Sequence, residues 1–125
     1  PERVDGPVGQ GLLELVQASL DRDKGEDVVV IDLAEKSTMA DYMVIVSGRS
    51  SRQVTSMAEH LMERLKGEGA SGLAAEGLTR GDWVLVDAGD VIVHLFRPEV
   101  RNFYNLEKMW ASPVMADIAA DGAPA

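Results

Sequence analysis

The chain has 125 residues, 46% of them hydrophobic and 26% charged, which suits one soluble domain with its own core. It contains no cysteine, and that excludes a disulfide framework, a thiolate nucleophile and Cys-ligated zinc. Twelve Lys and Arg against 21 Asp and Glu leave a net charge of -9, so phosphate backbones repel the chain and a basic protein is the partner its charge favours.

In chain order, the Pro/Gly-containing opening reads as a flexible leader over residues 1–10, followed by a folded domain over 11–110. No apolar run approaches the roughly 20 residues of a membrane helix, and a cytoplasmic setting is the expectation. Leu12, Leu13, Val16 and Leu20 have helical spacing, and Gly25 can close that helix. Val28-Val29-Val30-Ile31 reads as a buried strand, because β-branched residues fit a pleated surface and the run is short. Tyr42 to Val46 is a second such run. The link between the two is too short for a crossover helix, so antiparallel pairing is expected.

Ser50-Ser51-Arg52-Gln53 offers a capping box, with Ser50 at the N-cap. Val54, Met57, Ala58, Leu61, Met62 and Leu65 then form one apolar stripe, and Lys66-Gly67 ends the helix. A strand around Leu73 to Glu76 is expected to pair parallel to an earlier one. Two strands follow, at Trp83 to Val86 and Val91 to Phe96. Pro98 then suits the first turn of a last helix carrying Val100, Phe103, Leu106 and Trp110. Residues 111–125 are weakly patterned and read as a frayed tail. The fold class is α+β: a mixed five-stranded sheet with helices on at least one face.

The hairpin is the candidate site. With Ala88-Gly89 as its two-residue turn, Asp87 opposes Asp90 and Trp83 opposes His94. One face then collects Val84, Val86, Val91, Val93 and Leu95. The other collects Trp83, Leu85, Asp87, Asp90, Ile92, His94 and Phe96, a mixture of aromatic, aliphatic and anionic groups suited to docking a protein. A third layer over that face would instead make Trp83 part of the core.

Enzyme signatures are weak. Gly48-Arg49-Ser50-Ser51 follows a strand and opens a helix, where a phosphate can be held. The metal-binding carboxylates that nucleotidyl transfer needs do not follow it, and Asp87 and Asp90 alone would leave a two-metal site short of ligands. His60 and His94 lack partners at metal-site spacing in the sequence. No catalytic residue, metal or cofactor is assigned.

Three blocks are more specific. Asp41 to Val54, Trp83 to His94, and Arg101-x-x-Tyr104-x-Leu106-Glu107-x-x-Trp110 resemble the ribosomal silencing factor (Iojap) family, in its order and over roughly Gly11 to Trp110. The resemblance implies a nucleotidyltransferase-like fold without catalytic carboxylates. It implies binding of the large ribosomal subunit through ribosomal protein number fourteen, which blocks joining of the small subunit and lowers translation when nutrients are scarce. By matching position, Trp83, Asp87, Asp90 and His94 fall on the family's hairpin motif, and Arg101, Tyr104, Glu107 and Trp110 on its C-terminal motif. All eight are candidate partner-binding residues. Two other readings remain: a nucleotide-binding or nucleotidyltransferase-like enzyme using the Gly48–Ser51 turn, and a homodimeric module whose hairpin face is a self-interface.

Overall fold

The computed structural model describes residues 9–33, 38 and 40–104, the last three of these by backbone only. The elements are helix α1 (Gly9–Arg22), strands β1 (Glu26–Asp32) and β2 (Tyr42–Ser47), helix α2 (Ser51–Gly67), strands β3 (Ala74–Glu76), β4 (Trp83–Asp87) and β5 (Val91–Phe96), and helix α3 (Pro98–Tyr104). Helix α1 thus opens at Gly9, within the expected leader, and the expected tail lies outside the described residues.

The five strands form one mixed sheet in the order β1-β2-β5-β4-β3. β1 pairs antiparallel with β2, as the short link between them requires. The parallel pair is β2 with β5, and β5 turns back antiparallel onto β4. The strand after α2 does not pair parallel, as its sequence position suggested. β3 lies at the far edge and, among the described residues, pairs with β4 alone, antiparallel. α2 carries the chain past β5 to the outside of the sheet, and the parallel partner of β2 arrives two strands later.

Both faces of the sheet are packed. On one, Leu12, Leu13, Val16 and Leu20 of α1 and Val54, Met57, Ala58, Leu61 and Leu65 of α2 meet Val44, Val46, Val84, Val86, Val93 and Leu95. Helical spacing of apolar residues and strand alternation point at the same seam. On the other face Ile31, Leu33, Ala40, Met43, Ile45, Leu85, Ile92 and Phe96 form a second cluster, with Val29, Trp83 and Val100 half-buried against it. β5 is buried along its whole length.

β1 departs from expectation. Its sequence reads as a buried strand, yet within the Val28–Ile31 run only Ile31 is buried. The composition of Val28-Val29-Val30-Ile31 reports strand propensity, which is indifferent to whether the strand is central or at an edge. Among the described residues, no helix is long and apolar enough to cross a membrane.

Candidate partner-binding site

The hairpin turn sets the geometry of the site. Trp83 pairs with Phe96, Leu85 with His94 and Asp87 with Ile92, and the Ala88 N–H donates to the Val91 carbonyl at 3.0 Å. The two-residue loop is therefore Gly89-Asp90, one residue later than the expected Ala88-Gly89. The reason is conformational. The first central position of such a turn needs a left-handed backbone, and Gly89 sits at φ 85, a conformation alanine resists. Moving the turn by one residue shifts every pair by two, so the side chains keep their expected faces.

Several pairings change with it. Asp87 and Asp90 do not oppose each other as like charges. Asp87 Oδ1 accepts the Gly89 N–H at 2.9 Å and braces the turn. Asp90 Oδ2 accepts the Gly9 N–H at 3.2 Å, tying a carboxylate to the start of α1, where the helix dipole favours it. The Asp90 carbonyl also accepts from the N–H groups of Asp41 and Tyr42, at 2.8 and 3.1 Å. Asp90 therefore joins the hairpin turn to both α1 and β2.

Trp83 lies diagonally across from His94, not opposite it. Its indole Nε1–H donates to His94 Nδ1 at 2.8 Å, which assigns the imidazole proton to Nε2. The Trp83 and Phe96 ring centroids are 5.1 Å apart, and His94 stacks on Phe96 with an interplanar angle of 9°. His94 is 0% exposed and Leu85, Ile92 and Phe96 are also buried, whereas Trp83 and Asp87 are half-buried. The face is consequently not the open amphipathic surface its sequence suggested. Its centre is core, and of the expected hairpin contacts Trp83, Asp87 and Asp90 retain exposed surface.

Arg101 is also buried. Its Nη1 donates to the Asp27 carbonyl at 2.7 Å and to Ser47 Oγ at 2.9 Å, so α3 is clamped across β1 and the end of β2. Tyr104 is the last residue of α3. Its side chain, Glu107 and Trp110 lie outside the described residues.

The Gly48–Ser51 turn has a packing explanation. A Cβ on Gly48 would lie 2.9 Å from both Met57 Cε and Val54 Cγ2, so glycine lets α2 settle onto the sheet. Ser50 caps α2 by accepting the Gln53 N–H at 3.1 Å. The Gln53 side chain reaches back to the Arg49 N–H at 2.7 Å, one residue outside the usual capping-box donor.

One cluster escapes sequence reading. Asp23, just after α1, takes Arg64 Nη2 at 3.0 Å and His60 Nδ1 at 2.9 Å. Burial raises the Asp23 carboxyl, but hydrogen bonds and charge from Arg64 and His60 outweigh it and hold the group below its ordinary value of 3.8. The only signal in the sequence is that His60 and Arg64 are four apart on one helix face. Among the described residues, no group of three or more His, Asp or Glu is placed to hold a metal ion.

A family model described as "Ribosomal silencing factor during starvation" matches residues 9–123. The chain belongs to the ribosomal silencing factor family. It is 61% identical over 99 residues to the ribosomal silencing factor RsfS of Zymomonas mobilis, covering 79% of this chain and 74% of that one. A mouse relative named "Mitochondrial assembly of ribosomal large subunit protein 1" is 32% identical over 90% of this chain, which spans 52% of the mouse protein. The crystal structure of a Chromobacterium violaceum protein superposes with a TM-score of 0.79 at 36% identity, covering 82% of this chain and 86% of that one. The silencing-factor match spans both the hairpin and the C-terminal motif.

Proposed function

We propose that the chain represses translation by binding the large ribosomal subunit through ribosomal protein number fourteen, which blocks joining of the small subunit when nutrients are scarce. Membership of the ribosomal silencing factor family carries this reading. Charge supports it, because a chain of net charge -9 is steered toward a basic ribosomal protein and away from bare RNA. The name of the mouse relative links that protein to large-subunit assembly. A ribosome-bound role also makes the cytoplasm the expected place of action.

Within this reading Trp83 and Asp87, with Tyr104, Glu107 and Trp110 of the C-terminal motif, contact the partner. Asp90, His94 and Arg101 hold those contacts in place, because Asp90 ties the turn to α1 and His94 and Arg101 are buried. Blocking subunit joining needs occupied surface and no chemistry.

Co-sedimentation with isolated large subunits tests the binding step, and a subunit-joining assay tests the block. Bound protein and fewer joined ribosomes are expected; unchanged joining at saturating protein overturns the proposal. Asp87→Lys should weaken large-subunit binding at least tenfold, on the order of 1.4 kcal/mol, with a much smaller loss of stability. Asp90→Lys should lose stability and affinity together, since it also breaks the contact with α1. Calorimetry with nucleotide and magnesium addresses the enzyme alternative, which requires measurable heat of binding.

A further inference from the structure

Among the described residues, β1 pairs with β2 alone and leaves its outer edge open. β1 ends the strand order, and the Leu33 N–H donates to the Asp41 carbonyl at 2.8 Å. Antiparallel alternation then directs the Ile31 and Val29 backbone groups at β2, and those of Val28 and Val30 away from the sheet. Among the described residues these two valines are the exposed large hydrophobics, at 39% and 36%. Val30 shares the face of its pairing partner Val44, beyond the cover of the helices. A bulge between Glu26 and Val29 interrupts the ladder, and Arg101 takes the Asp27 carbonyl. The open edge accordingly starts at Val28.

We infer that the outer edge of β1 from Val28 to Ile31 is a docking strand for an extended segment of a basic protein, which adds a sixth strand to the sheet. An exposed edge with apolar side chains is a template for strand addition: main-chain bonds give affinity and alternate side chains give selectivity. Charge decides the occupant. The strand is bracketed by the exposed carboxylates Asp27 and Asp32, within a chain of net charge -9. A second copy brings the same charge, and antiparallel self-pairing centred on Val30 sets Val28 beside a second copy's Asp32. An incoming segment with aliphatic residues at alternate positions and Lys or Arg at its ends meets none of these penalties. β1 is separated from the β4 hairpin strand by β2 and β5, so this edge is distinct from the hairpin face assigned to ribosomal protein number fourteen.

The test uses the full chain, isotope-labelled, titrated with the peptide Lys-Lys-Val-Thr-Val-Thr-Val-Lys-Lys and followed by amide hydrogen exchange. The Val28 and Val30 amides should gain about tenfold protection or more, while those of Val29 and Ile31, already bonded to β2, change little. Val30→Pro deletes an outward N–H and is tolerated on an edge strand, so it should weaken the peptide about tenfold or more. Val30→Lys keeps the backbone donor but adds a cation, and should weaken the basic peptide in a chain that melts like the parent. A Glu-ended peptide should not bind. Absence of protection at saturating peptide overturns the inference, as does equal binding of the Glu-ended peptide. A doubled mass of the free protein, with Val28 and Val30 already protected, would instead assign the edge to a second copy.

Discussion

At the scale of single residues, Trp83 and His94 tie the two strands of the hairpin together on its mixed face. The 2.8 Å bond from the indole to the imidazole fixes the tilt of the half-buried tryptophan. His94→Leu fills the site but leaves Trp83 without that acceptor, and should cost about 1–3 kcal/mol in urea unfolding. In a double-mutant cycle with Trp83→Phe, the two losses should overlap by roughly 1 kcal/mol. Asp23 gives the acid response. Its carboxyl lies below its ordinary 3.8 in the folded chain, so it stabilises the fold above that pH and the contribution is lost as pH falls through the lowered value. Asp23→Asn should therefore flatten the acid limb of stability below about pH 4, measured by denaturant melts across pH.

At the scale of elements, periodicity was a reliable guide wherever one face alone decides an element's position. The stripe of α2 and its Ser50 cap are both where spacing put them. Prediction failed where position in the sheet matters. Val28 to Ile31 has the composition of a central strand but forms an edge, and Leu73 to Glu76 gives no sign that its partner is β4. The hairpin register erred by one turn position, because Ala88-Gly89 and Gly89-Asp90 both contain a glycine and only one places it where φ 85 is needed. Even so, side-chain parity survived, and the separation of aliphatic from mixed face was legible. That the mixed face is itself buried was not, since alternation does not say what covers a sheet. Gly48 belongs at this scale too. Gly48→Ala should push α2 from the sheet and destabilise by about 1–3 kcal/mol, with no change in m-value if the fold is retained.

For the whole molecule, charge is the dominant signal. With net charge -9, association with a basic ribosomal protein should slow steeply as salt rises past about 0.15 M, where the Debye length falls below about 8 Å. Stopped-flow association rates on the isolated basic ribosomal protein at graded salt measure this directly, free of the repulsion from ribosomal RNA. A dissociation rate that is nearly salt-independent would place the steering charges outside the contact itself. The family match points to the ribosome, and the acidic balance, an independent property of the chain, favours a basic protein there over bare RNA.

The parallel pairing of β2 with β5 also governs how the protein can be made. Residues 42–47 must wait for residues 91–96, whereas the β4–β5 and β1–β2 ladders close locally. A growing chain halted before Val91 therefore holds α1, β1, β2 and α2 with no strand to seat them together, and both clusters lack their central members. Such non-local ladders form late and leave apolar surface open meanwhile. Refolding should accordingly show local hairpins first and a single slow step in which β5 inserts, and substitutions in β5 such as Val93→Ala should slow that step, measured as a fall in the folding rate in stopped-flow refolding.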